Sequence, residues 1–218
     1  MTPNYEKAAI AAAETLIKHG ISSAPVSPLP ILKRIPGVLV FSFAEMSEDV
    51  NRNRCDLIDL FSDGQDAFTT VNIIDGKPLY VITYNQQLPL ALVQRSLARE
   101  LGHIVLGHDG SRPEEVRQEE AKAFANHLLV PRALIHALQA INVRITKEVL
   151  GNLTGCYDHC LSCMRRIPSV SVPADLNRAV RDQFMPYIFN YFSFQRLVAH
   201  NDGSALADFG TYMEGYEE

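Results

Sequence analysis

The hydrophobic residues change their spacing along the chain, and the changes predict the order of its elements. An Ala-rich stretch with Glu and Lys, residues 4–19, is typical of a helix. Prolines punctuate the next segment, where we expect a short helix to begin near Ser27. The apolar run 38–43 predicts a strand, and 44–66 predicts a loop or weak helix. Alternating residues on both sides of Asp75-Gly76 predict a β-hairpin.

The second half of the chain has helical spacing. One helix should run from Pro89 to about Leu106 and a second from Glu114 to Val130, with a third beginning at Pro131. This order predicts an α+β fold with a short antiparallel sheet and a helical C-terminal part. We place the boundary between the two parts at residues 140/141, giving regions 1–140 and 141–218.

Composition narrows the class of protein. The chain has 218 residues, of which 47% are hydrophobic and 21% charged, as expected for a globular domain that buries a core. Its net charge of −5 does not favour general binding to nucleic acids or membranes. We expect neither a leader peptide nor a transmembrane helix, because we find no basic segment followed by an apolar core near residue 1 and no apolar run of the roughly 20 residues that cross a bilayer. We therefore expect a cytoplasmic protein with reduced cysteines.

The helix after the hairpin contains the stretch with the clearest chemical content, LARELGHIVLGH at 97–108. A zinc-peptidase helix carries two His four residues apart, which bind one metal, and a Glu after the first His, which activates the metal-bound water. Glu100 occupies the position of this base and His103 that of the second ligand. Arg99 stands where the first His is required, and a guanidinium offers only hydrogen-bond donors.

The order of motifs around this helix is more specific than the helix alone. YNQQLPLALVQRSLARELGHIVLGHDG followed by EEAKAFANHLLVP resembles the ImmA/IrrE family of metallo-endopeptidases, and the likeness covers about residues 4–135. The resemblance implies a small zincin-like domain, a zinc cofactor and cleavage of a helix-turn-helix repressor in mobile-element or stress regulation. It also implies that a third zinc ligand, usually Glu, lies on the following helix.

The third-ligand region departs from the family pattern as well. Alignment on QEEAKAFA places Gln118 and Glu120 at the two acidic positions and Lys122 where the family has Asn or Asp. The apolar stripe of this helix leaves Gln118 at its edge and turns Glu120 well away, so Gln118 is the expected ligand position. Glu120 remains a metal ligand beside His103 only if the site is functional.

These departures predict a degenerate zinc site. We expect Arg99 and Lys122 to supply the positive charge that zinc would bring to Glu100, and zinc to be absent or weakly bound. The chain would then bind a repressor with lost or impaired cleavage. The alternative enzyme is an active zinc peptidase with rearranged ligands, in which Glu120, His108 or His127 is recruited. His108 itself is predicted to lie on a different face from His103 and to interact with the helix dipole.

Residues 145–166 have the pattern of a helix-turn-helix, which opens a third alternative, a DNA-binding regulator. Residues 141–200 contain seven basic and four acidic residues, which is a weak basic excess for a DNA-binding surface. Cys156, Cys160 and Cys163 have the spacing of an iron–sulfur motif, but they also form one stripe of an amphipathic helix. We interpret them as packing residues.

Overall fold

The computed structural model describes residues 1–49, 66–141, 143–156 and 170–201. Its elements in chain order are α1 (Tyr5–Lys18), α2 (Pro28–Leu32), β1 (Val38–Ser42), α3 (Phe43–Asp49), β2 (Ala67–Ile74), β3 (Lys77–Tyr84), α4 (Leu90–Val105), α5 (Glu114–Leu129), α6 (Arg132–Ala140), α7 (Lys147–Thr154) and α8 (Ala174–Asn201). The α+β class predicted from the sequence is confirmed. In the described part of the chain, no helix has the length and apolarity needed to cross a membrane.

The sheet has three strands in the order β1-β3-β2. β2 and β3 form the predicted antiparallel hairpin, and its two turn residues, Asp75 and Gly76, have φ of 51° and 74°. Such left-handed pairs match the twist of a two-residue hairpin. β1 pairs with β3 in parallel, with Val38 opposite Tyr80. The sheet is therefore mixed, whereas the sequence predicted an antiparallel one.

The core lies between the sheet and the helices. α4 and α5 approach closely at Gly102, where an added Cβ would lie 3.0 Å from the Phe124 ring. Val180, Phe184 and Ile188 of α8 are buried in the same apolar cluster as α1 and α6. Part of the region beyond residue 140 thus shares the core of the first region, while the predicted boundary at 140/141 stays a prediction.

Only the first half of the predicted helix-turn-helix falls within the described residues. Thr146 caps α7, accepting a hydrogen bond from Val149 N, and Gly155 ends it at φ 68°. The second predicted helix lies outside the described residues, as do Cys55, Cys160 and Cys163. Cys156 is buried, in agreement with a packing role.

Candidate functional site

A cleft of about 250 Å³ opens between the hairpin and helices α4 and α5. Its lining combines an apolar wall with titratable and amide side chains: Phe68, Thr69, Val71, Tyr80, Glu100, His103, Ile104, His108, Glu114, Arg117 and Gln118. Four positions singled out in the sequence are brought together here: Glu100, His103, His108 and Gln118. Arg99 borders the site by its contact with Glu100, whereas Glu120 and Lys122 are not among the lining residues.

Glu100 is the buried acid of the cleft, with 5% of its surface exposed. Thr69 on β2 donates a hydrogen bond to Glu100 Oε2 at 2.7 Å. Arg99 donates to Glu100 Oε1 from Nε at 3.3 Å and from a terminal nitrogen at 3.2 Å, and the same nitrogen bonds the Ala67 carbonyl. Burial raises the pKa of Glu100, and the Thr69 and Arg99 contacts offset only part of this increase. Arg99 therefore supplies the predicted positive charge and ties α4 to β2.

His103 is a neutral imidazole at neutral pH. Burial, together with the nearby His108 and Arg99, lowers its pKa to about 4, although the Gln118 side chain acts in the opposite direction. Its Nδ1 lies 2.9 Å from Nδ1 of His108. The ring that the family pattern assigns to a metal is thus engaged with a second histidine.

The turn after α4 brings His108 onto His103. Gly107 adopts φ 67°, its N–H donates to the Ile104 carbonyl, and the His108 N–H donates to the His103 carbonyl. These two bonds form a Schellman motif, in which the chain folds back over the last helical turn. The prediction that His108 lies on a different face is therefore wrong, because it assumed that helical geometry continues through Gly107.

Glu120 is the centre of a buried polar cluster behind the cleft, only 1% exposed. It accepts hydrogen bonds from Arg112 at 2.7 and 2.9 Å, from the Asn4 backbone N–H at 2.6 Å and from His108 Nε2 at 3.0 Å. Burial alone raises the pKa of Glu120, but these donors together outweigh it, and the pKa falls below its ordinary value. Glu120 lies outside the predicted apolar stripe, yet it is buried, because residues at the start of α1 and in the loop before α5 cover this face of the helix.

Gln118 faces the cleft, as the helical geometry predicted, and its amide donates to Glu114 at 2.8 Å. Lys122 instead forms a surface ion pair with Glu119 at 2.9 Å, with both side chains more than 40% exposed. The hypothesis that Lys122 compensates Glu100 is therefore not supported by the structure, because its ammonium is held by Glu119.

His127 lies in a different place from the cleft. It lines a small cavity with residues of α1, α6 and α8, and burial lowers its pKa to about 4. This geometry therefore does not place His127 beside His103, as a rearranged metal site would require.

A scan against family models matches the peptidase M78 model, described as the IrrE N-terminal-like domain, over residues 45–154, half of the chain. The chain belongs to this family. No curated protein and no solved structure matches it. Membership in this family makes the chain metallopeptidase-like and confirms the resemblance that the motifs at 84–131 indicated.

The side chains of this IrrE-like domain do not fit the zinc site of its family. Arg99 has no lone pair to offer a metal, and Glu120 is engaged by Arg112. Among the described residues, no group of three or more His, Cys, Asp or Glu is arranged to hold a metal ion. Sequence reasoning missed the roles of Thr69, Arg112 and Asn4, which occupy ordinary strand and loop positions and are recruited only by the fold.

Proposed function

We propose that this IrrE-like domain recognises a helix-turn-helix repressor through the cleft without cleaving it. The observation that carries the proposal is the Arg99–Glu100 ion pair. Arg99 takes the position of the first zinc ligand. Its guanidinium forms an ion pair with the Glu100 carboxylate, which would otherwise act as general base. Both functions of the zincin helix are removed by one substitution.

The rest of the cleft supports a retained binding role. The apolar side chains of Val71, Tyr80 and Ile104 line the cleft beside its polar groups, and Val71 is 55% exposed. Concave sites with an apolar lining and a few oriented polar groups are typical of ligand recognition. A partner segment could bury these side chains without any chemistry at Glu100.

Zinc binding and peptidase activity test the degenerate site directly. We expect the purified chain, incubated with zinc and desalted, to carry well below one equivalent by elemental analysis. Arg99→His combined with Gln118→Glu should restore two ligands and raise zinc to about one equivalent, whereas either single variant should not. Stoichiometric zinc in the unmodified chain, lost on His103→Ala, would favour the active peptidase with rearranged ligands.

Partner binding requires a second experiment. A repressor encoded beside this chain should bind it in calorimetry and remain uncut after incubation with zinc, as judged by intact mass. Val71→Asp should weaken binding at least tenfold, while the matched exposed change Ile74→Asp on the opposite face of β2 should not. Cleavage by the unmodified chain would overturn the proposal. Repressor-independent DNA binding, lost on substitution within 145–166, would favour the DNA-binding alternative.

A further inference from the structure

The cleft floor connects to the buried cluster behind it through two imidazoles in contact. His103 Nδ1 lies 2.9 Å from His108 Nδ1, and His108 Nε2 lies 3.0 Å from Glu120 Oε2. Each of these contacts needs one hydrogen, and the positions of the hydrogens are determined by the chemistry of the groups at the ends. We infer that Glu120 is a positioning residue that fixes the tautomers of both histidines, so that His103 keeps an unprotonated Nε2.

The first step concerns Glu120 itself. An ionised carboxylate only accepts hydrogen bonds, so the hydrogen between Glu120 and His108 must be carried by His108 Nε2. Arg112 binds both oxygens of Glu120 and neutralises its charge. A charged His108 is therefore not required to neutralise Glu120. The His108 side chain is only 2% exposed, and this burial disfavours the charged ring.

The second step concerns the hydrogen between His108 and His103. A neutral His108 with hydrogen on Nε2 has a lone pair on Nδ1, which can only accept. His103 must then donate from its own Nδ1, and its Nε2 is left with a lone pair. His103 lines the cleft, so this nitrogen can accept a hydrogen bond from an N–H or O–H group of a bound partner, whereas the amide nitrogen of Gln118 already donates to Glu114.

Glu120→Gln should reverse this arrangement. Each oxygen of Glu120 receives two donors, Oε1 from Asn4 N and Arg112 and Oε2 from Arg112 and His108, and of these groups only the His108 ring can change from donor to acceptor. The amide oxygen should therefore occupy the Oε1 position, and the Arg112 nitrogen at the Oε2 position would have to move away. The amide nitrogen would then face His108 Nε2 and donate to it. His108 would carry its hydrogen on Nδ1 and donate to His103, whose remaining hydrogen would move to Nε2.

Nitrogen-15 NMR of histidine-labelled protein at neutral pH measures these tautomers directly, with ring signals assigned through His103→Gln and His108→Gln. In the unmodified chain we expect hydrogen on Nδ1 of His103 and on Nε2 of His108. In Glu120→Gln both assignments should exchange, while Glu120→Asp should restore the original pattern. Glu119→Gln, the same change on the adjacent exposed residue, should leave the tautomers unaltered.

The unmodified chain tests the inference even if Glu120→Gln does not fold. Hydrogen on His103 Nε2, or two hydrogens on His108, would overturn it. The same holds if Glu120→Gln folds and both histidines keep their tautomers. The measurement needs neither metal nor repressor, so its result is independent of the proposed function.

Discussion

Arg99 alters the electrostatics of the site and the connection between two elements at the same time. Its guanidinium lies beside a carboxylate that is 5% exposed and also bonds the Ala67 carbonyl at the start of β2. Breaking a buried ion pair from one side leaves an uncompensated charge, which costs more than the pair itself contributes. Arg99 is therefore a structural residue of this domain, at the position where the family pattern has its first zinc ligand.

Replacing Arg99 with Met tests this electrostatic role. The pKa of Glu100 is already raised by burial, and removing Arg99 should raise it further. A carboxyl with a raised folded pKa destabilises the fold as pH rises through that pKa, so the loss should be largest at neutral pH. We expect the variant to lose about 2 kcal/mol of unfolding free energy at pH 7.5 and clearly less at pH 4.5.

Urea denaturation at the two pH values measures this difference. Arg95→Met, one turn earlier on α4, is the matched control and should show no such dependence on pH. An equal loss for Arg99→Met at both pH values would mean that only packing was removed.

The close approach of α4 and α5 depends on a single glycine. An added Cβ at Gly102 would lie 3.0 Å from Cδ1 of Phe124, tighter than an unstrained contact. Gly102→Ala should therefore destabilise the protein by about 1–2 kcal/mol, although alanine is the better helix former. Gly110→Ala, where nothing lies within 4 Å of the new Cβ, is the control. In the double variant, Phe124→Leu should recover part of the loss, and full additivity of the two changes would contradict this explanation.

The sequence predicted most helices and the hairpin well because each of these elements has its own local signal. Periodic apolar residues and flanking prolines define α4, α5 and α6, and Asp75-Gly76 defines the hairpin. The parallel pairing of β1 with β3 has no local signal, since Val38 and Tyr80 meet only after the chain has folded. Local periodicity therefore predicted the helices and the hairpin but not the sheet order.

The candidate site could be predicted only in part, because local patterns do not show which other segments surround a side chain. Gln118 was placed in the cleft because one helix face packs against α4. The burial of Glu120 was not predicted, because a single-helix argument ignores Asn4 and Arg112, which approach from other segments. His108 was misplaced because Gly107 turns the chain back. Contacts between segments determine the surroundings of Glu120, and a local turn at Gly107 determines the position of His108.

The packing of the helical C-terminal part on the rest of the molecule buries a third histidine, His127, after His103 and His108 of the cleft. This burial makes the stability of the whole protein depend on pH. His127 lies among α1, α6 and α8, where burial and then Arg132 lower its pKa to about 4 from 6.5. Between pH 4 and 6.5, His127 therefore binds a proton in the unfolded chain but stays neutral in the folded chain. The stability from neutral His127 is complete above pH 6.5 and is lost as pH falls toward 4.

His127→Gln removes this titration while keeping a polar side chain. For each protein, the measured quantity is the decrease in unfolding free energy from pH 7.5 to pH 4.5. We expect this decrease to be about 2 kcal/mol larger for the unmodified chain than for the variant, since one pKa unit corresponds to about 1.36 kcal/mol. His103 titrates in both proteins and so cancels in the comparison. The exposed His136→Gln should follow the unmodified curve in denaturation measured from pH 4.5 to 7.5. Parallel curves for His127→Gln and the unmodified chain would show that His127 is hydrated or able to leave its cavity when charged, and that α8 does not hold it in a dry site.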